Sequence, residues 1–167
     1  MSIIDEIVER NRRYAEGYPG PLPLRPGKHL AVIACMDSRL DIFEMLGLDL
    51  GDAHIIRNAG GVITDDMIRS LTISQRKLGT REVILIHHTN CGLSTFTEDE
   101  FDELLLQETG RRAHWKAESF KDVDASVRES IRRITQSPFV EHTDHVRGFV
   151  ADVETGLLGE VTVGETA

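Results

Sequence analysis

Two short stretches hold the residue types that do chemistry: Cys35-Met36-Asp37-Ser38-Arg39, and His87-His88-Thr89-Asn90-Cys91 with Gly92 after it. Between them they contain both cysteines of the chain. Thiolate and imidazole are preferred zinc ligands, and a catalytic zinc takes three protein ligands and keeps a fourth position for water or substrate. Cys35, Cys91 and one histidine of the pair make such a set. Zinc brings the pKa of a bound water toward ~7, so hydroxide is available at neutral pH. Two thiolates donate more charge than neutral imidazoles and leave that water less acidic, so a group that orients the hydroxide is useful. Asp37 is placed for this, and Arg39 can pair with it bidentately, holding it ionised and off the metal. Released from Arg39, Asp37 becomes a fourth ligand and closes the site.

Each element also has a plainer reading. A strand-end cysteine serves as a small buried hydrophobe, and Asp37 can cap a helix over 39–46. Paired histidines occur at solvated strand ends, and H-x-x-C spacing alone is a weak signal. A permanent Asp37 ligand would give a structural zinc, and the two thiols can form a regulatory disulfide. Arg39 argues against the permanent ligand, because such a carboxylate needs no guanidinium to draw it away.

The elements that position these residues alternate between strand and helix. HLAVIAC (29–35) is a short apolar run, as expected of a strand buried on both faces. A short helix ending near Gly47, a strand over AHIIRN (53–58) and a helix from Thr64 to Leu78 follow. EVILIHH (82–88) is the strongest strand, and helices are predicted over 97–110, capped by Thr97, and over 122–136. VRGFVADVETGLLGEVTV reads as two strands joined by a tight turn at Glu154-Thr155-Gly156. This order predicts an α/β fold: a mostly parallel sheet of four strands plus an antiparallel edge strand, with helices on both faces. Cys35 ends the first strand and Cys91 lies just past the third, and open parallel sheets bind ligands at the carboxyl ends of their strands.

Ahead of the sheet, Ser2 and Asp5 form a capping box for a first helix with an apolar stripe of Ile3, Ile4, Ile7 and Val8. A Pro-rich arm follows. Residues 1–27 thus form a helix and arm, and 28–167 one α/β domain. The helix packs either on its own domain or on a partner subunit. A chain of 167 residues, 40% of them hydrophobic, has enough for a core of ordinary size. The net charge of −9 argues against a nucleic-acid surface. No apolar stretch reaches membrane-span length, and the charged N-terminus lacks a signal-like apolar region, so a cytoplasmic protein is expected. Few cysteines suit that compartment.

C-x-D-S-R followed by H-x-x-C, with Arg57-Asn58-Ala59-Gly60 between, resembles the β-class carbonic anhydrases over roughly residues 28–163. The resemblance implies zinc held by Cys35, His88 and Cys91, with Asp37 and Arg39 as a catalytic dyad. It selects His88, not His87, as the ligand, and period-two alternation turns His87 to the other side of the strand. The implied reaction is reversible hydration of carbon dioxide to bicarbonate and a proton by zinc-bound hydroxide, the work of a carbonate dehydratase, a lyase. The Gly92 amide would bind a substrate oxygen. The family also implies a homodimer, with a tetramer as a larger assembly, and places the first helix on the partner. Against the plant-like branch, His54 replaces a pocket Phe, Ala59 a Val, Ile73 a Tyr, and Leu93 a Gly. The scaffold also hosts hydrolases of carbonyl sulfide and carbon disulfide, an alternative function; a non-catalytic structural-zinc or redox module is a second.

Overall fold

The computed structural model describes residues 2–164; residue 1 and residues 165–167, the outer ends of the two expected segments, lie outside it. Five strands are formed: β1 Leu30–Cys35, β2 Ala53–Asn58, β3 Glu82–His88, β4 Val146–Ala151 and β5 Leu158–Val161. They make one sheet in the order β2-β1-β3-β4-β5, with the first four parallel and β5 antiparallel to β4. This is the arrangement the strand–helix alternation predicts. The helices are α1 Ile3–Glu16, α2 Ile42–Leu46, α3 Asp65–Leu78, α4 Glu98–Thr109 and α5 Val123–Thr135.

The central strand explains its own sequence. β1 has a strand on either side and a packed layer on each face, so Ala31 through Cys35 are all buried. Ala31, Ile33, Val83 and Leu85 meet Met67 and Leu71 of α3 and Val127, Ile131 and Ile134 of α5. Val32, Ala34 and Ile86 face the opposite layer of Leu40, Ile42 and Leu48. α5 sits so close to β4 that a Cβ at Gly148 would lie 2.3 Å from Val127 Cγ1. Only a residue without a side chain allows that approach.

Helix starts follow the cap chemistry. Ser2 with Asp5 and Thr97 with Glu100 close full capping boxes, while Thr64 and Asp122 each accept from a first-turn amide. One expectation changes. The helix after the first motif is only Ile42–Leu46, and Asp41 caps it by accepting from the Glu44 amide. Asp37 is not a cap, because its carboxylate is already bound to Arg39. α1 buries no residue within the chain, and Ile3, Ile4, Ile7 and Val8 are exposed. The arm is fastened at its far end, where the Gly27 and Lys28 amides donate to the Gly51 and Asp52 carbonyls.

Candidate metal centre and active site

The last residue of β1 is Cys35 and the last residue of β3 is His88, so two neighbouring parallel strands deliver a thiol and an imidazole to the same sheet edge. Cys91 follows within one turn. That turn is pinned to β4: the Thr89 amide donates to the Ala151 carbonyl, and Thr89 Oγ1 accepts from the Val153 amide. Asn90 reverses the chain at φ 53°, a left-handed conformation that asparagine tolerates better than most residues. The result is one buried cluster in which the ligand atoms of Cys35, His88 and Cys91 all lie within 4.8 Å of one another.

The donor set fits a soft transition-metal ion. His88 Nδ1 donates to the Thr89 carbonyl at 2.8 Å, which leaves the lone pair on Nε2. Nε2 is buried and has no hydrogen-bond partner, an arrangement that costs free energy unless something accepts that lone pair. Both thiols are free, and they titrate as a pair. Cys35 is pushed down by a hydrogen bond from Cys91, with burial opposing and with His88 and the Asp37 and Gly60 amides helping. Cys91 is pushed up, first by donating to Cys35 and then by burial. Burial works against a charged His88, but the Cys35 thiolate outweighs it and raises the imidazole above its ordinary value. A cation bound by the three residues would replace the proton that the thiols share.

Asp37 stands beside this cluster, with Oδ2 3.7 Å from His88 Nε2. Arg39 holds it from three sides: Nε donates to Oδ1 at 2.8 Å, Nη2 to Oδ2 at 2.8 Å, and the Arg39 amide to Oδ1 at 2.9 Å. Those bonds, the side-chain pair first, keep the carboxyl well below the usual carboxylate range. Arg39 Nη2 also donates to the Asn90 carbonyl at 3.0 Å, which links the two motifs.

The structure separates the remaining sequence candidates. Gly92 opens a short 3-10 turn, Gly92–Ser94, and open space lies where its Cβ would be. His87 turns to the face opposite His88 and is fully buried, its Nε2 donating to the Gly61 carbonyl. Burial pushes its pKa down to about 4. His54 Nδ1 bonds Ser74 Oγ at 2.7 Å, which in turn bonds Thr80. Ile73 is exposed on α3. Ala59 borders a large groove that also touches Leu93, Phe96, Trp115 and Phe139 but is lined by none of Cys35, Asp37, His88 or Cys91.

Two contributors escape sequence reasoning. Gly61, at φ 70°, lets its backbone lie against β1: a Cβ there would stand 2.8 Å from the Cys35 amide nitrogen. Arg57 donates to three carbonyls of the Cys35–Leu40 segment. The signals were a Gly-Gly pair and, at Arg57, a charged residue next to last in β2 that opens the Arg57-Asn58-Ala59-Gly60 segment.

Comparison with known proteins agrees with this geometry. The carbonic anhydrase family model matches residues 30–158. The chain is 56% identical over 162 residues to beta-carbonic anhydrase 1 of Mycobacterium tuberculosis, covering 97% of this chain and 99% of that one. It is 34% identical over 152 residues to a carbon disulfide hydrolase of Acidithiobacillus thiooxidans, covering 78% of this chain and 76% of that one. The crystal structure of a Streptococcus mutans carbonic anhydrase superposes with a TM-score of 0.91 at 44% identity, covering 97% and 99% of the two chains. A Cys-His-Cys cluster that could hold a metal, on an α/β sheet of this topology and with these relatives, places the chain in the β-carbonic anhydrase family.

Proposed function

We infer that the protein is a zinc carbonic anhydrase that reversibly hydrates carbon dioxide to bicarbonate and a proton. The observation that carries this is the bidentate Asp37–Arg39 pair beside three metal-binding side chains. Cys35, His88 and Cys91 would then hold the ion, and Asp37, engaged by Arg39, would not add a fourth protein ligand. Zinc suits two thiolates and an imidazole, and when bound it acts as a Lewis acid that makes water a nucleophile near neutral pH.

The chain's own residues supply the rest. Arg39 keeps Asp37 ionised and, with a metal held by the three side chains, would keep it off the metal, where Asp37 would accept a hydrogen bond from the attacking water or hydroxide and orient it toward the substrate carbon. The thiolates receive backbone donors, Cys35 from Asp37 and Gly60, and Cys91 from Leu93, which lowers their charge density. The Gly92 amide is assigned to a substrate oxygen; the absence of a side chain there keeps the approach open. Among the pocket positions His54, Ala59 and Ile73, only Ala59 borders the large groove, which is lined by none of Cys35, Asp37, His88 or Cys91. The same reading makes the protein a cytoplasmic homodimer joined through the exposed stripe of α1.

The carbon disulfide hydrolase relatives give a second reading on the same residues. Stopped-flow hydration of carbon dioxide, run beside sulfide release from carbonyl sulfide and carbon disulfide with zinc analysis of the same sample, separates them. Fast hydration with stoichiometric zinc is expected. Slow hydration with fast sulfide release would reverse the substrate assignment. A chain that unfolds without metal and has neither activity would instead hold a structural zinc.

A further inference from the structure

We propose that Arg57 is a positioning residue for the Asp37–Arg39 dyad, holding the segment that carries it from the neighbouring strand. β1 leaves the sheet after Cys35, and its pairing with β2 ends where the Met36 amide donates to the Asn58 carbonyl at 2.7 Å. Beyond that point the backbone carbonyls of the Cys35–Leu40 segment have no strand to receive. Arg57, next to last in β2, extends its guanidinium across them. Nε donates to the Cys35 carbonyl at 2.9 Å, Nη2 to the Asp37 carbonyl at 2.7 Å, and Nη1 to the Leu40 carbonyl at 3.2 Å. All three nitrogens are used, each on a different residue.

The consequence is geometric. The three acceptors are a metal ligand, the dyad carboxylate's own residue, and the residue that closes the loop, whose amide donates back to the Asp37 carbonyl. Fixing these carbonyls fixes where the Asp37 side chain leaves the backbone relative to His88 Nε2. Arg39 sets the direction of that carboxylate, and Arg57 sets its origin. A planar fork with fixed donor directions spans three separated carbonyls, which a single ammonium cannot do. Arg57 and its bond to the Asp37 carbonyl are exposed, so water can satisfy that carbonyl when Arg57 is replaced, while the bonds to the Cys35 and Leu40 carbonyls are half-buried and their loss shifts the segment.

The test compares the zinc-loaded wild type with Arg57→Gln and Arg57→Lys, and its activity arm rests on the carbonic anhydrase reading. For Arg57→Gln, kcat for carbon dioxide hydration is expected to fall roughly tenfold to a hundredfold, with KM changed less than about threefold, because small misplacements at a reacting centre cost rate rather than binding. Zinc content and melting temperature stay close to wild type, and Arg57→Lys recovers little. A wild-type kcat in Arg57→Gln overturns the proposal. So does a loss that only follows the folded or zinc-loaded fraction, which would make Arg57 a purely structural residue. A wild type that does not hydrate carbon dioxide refutes the activity reading instead. The clamp is then judged by zinc release to a chromophoric chelator, expected about tenfold faster from folded Arg57→Gln because the Cys35 carbonyl is unfastened. Unchanged release in that case overturns it.

Discussion

Removing the negative charge from Asp37 separates its role from that of the ligands beside it. Asp37→Asn keeps the three metal-binding side chains and is expected to retain zinc while losing about a hundredfold in carbon dioxide hydration at neutral pH. Cys35→Ala removes one of the three proposed ligands and is expected not to retain zinc. Zinc analysis and stopped-flow rates on both variants check the pair of outcomes; full activity in Asp37→Asn would refute the dyad role. Asn90 gives a finer test. Its left-handed backbone aims the carbonyl at Arg39 Nη2, and its side chain makes no hydrogen bond among the described residues. Asn90→Gly is therefore expected to keep activity, while Asn90→Val strains the turn by roughly 1–3 kcal/mol and loosens Arg39. Melting temperature and kcat should fall together in the valine variant only.

β3 ends in two histidines with opposite fates because a strand turns successive side chains to opposite faces. His88 reaches the cluster with Cys35 and Cys91 that could hold a metal. His87 is driven into the core, donates to Gly61 and stacks at 5.9 Å on Phe120. The element thereby acquires a pH dependence unrelated to catalysis. Burial lowers the folded pKa of His87 to about 4, below its unfolded value. The folded state then binds fewer protons than the unfolded state in that interval, so stability is lost as pH falls from about 6.5 toward about 4. The contribution is on the order of 2 kcal/mol between about pH 7 and about pH 5. Denaturant unfolding of wild type and His87→Phe should show a shallower pH slope in the variant across that window. Equal slopes would mean that His87 does not carry it.

For the molecule as a whole, the unresolved demand is α1. Its stripe of Ile3, Ile4, Ile7 and Val8 lies in solvent within one chain, and burying it on a second copy would offset the exposure. Placing a charge on the stripe tests this. The wild type is expected to sediment as a dimer and an Ile4→Asp, Ile7→Asp double variant as a monomer, with the α/β domain still folded by circular dichroism. A variant that remains fully dimeric would move the interface elsewhere.

Strand and helix order was readable from the sequence because β1 and β3 are apolar enough to be buried on both faces and the caps Ser2, Thr64, Thr97 and Asp122 mark helix starts. The end of the short α2 at Gly47 was readable, but its start was read at Arg39 instead of Ile42, because the Asp41 cap and the Asp37–Arg39 pair are told apart only in the folded structure. The chemistry of the site was written locally, in two motifs whose residue types suit a metal. What the sequence by itself determined is therefore the parallel sheet and the residue types offered at its edge: two cysteines, a histidine pair from which family resemblance selects His88, and an aspartate with an arginine two residues on. The tertiary structure alone decided that Gly61 lies against Cys35, that Arg57 spans three carbonyls and that Asn90 meets Arg39. Those contacts join segments far apart in the chain through backbone atoms, which every residue possesses and no residue type announces.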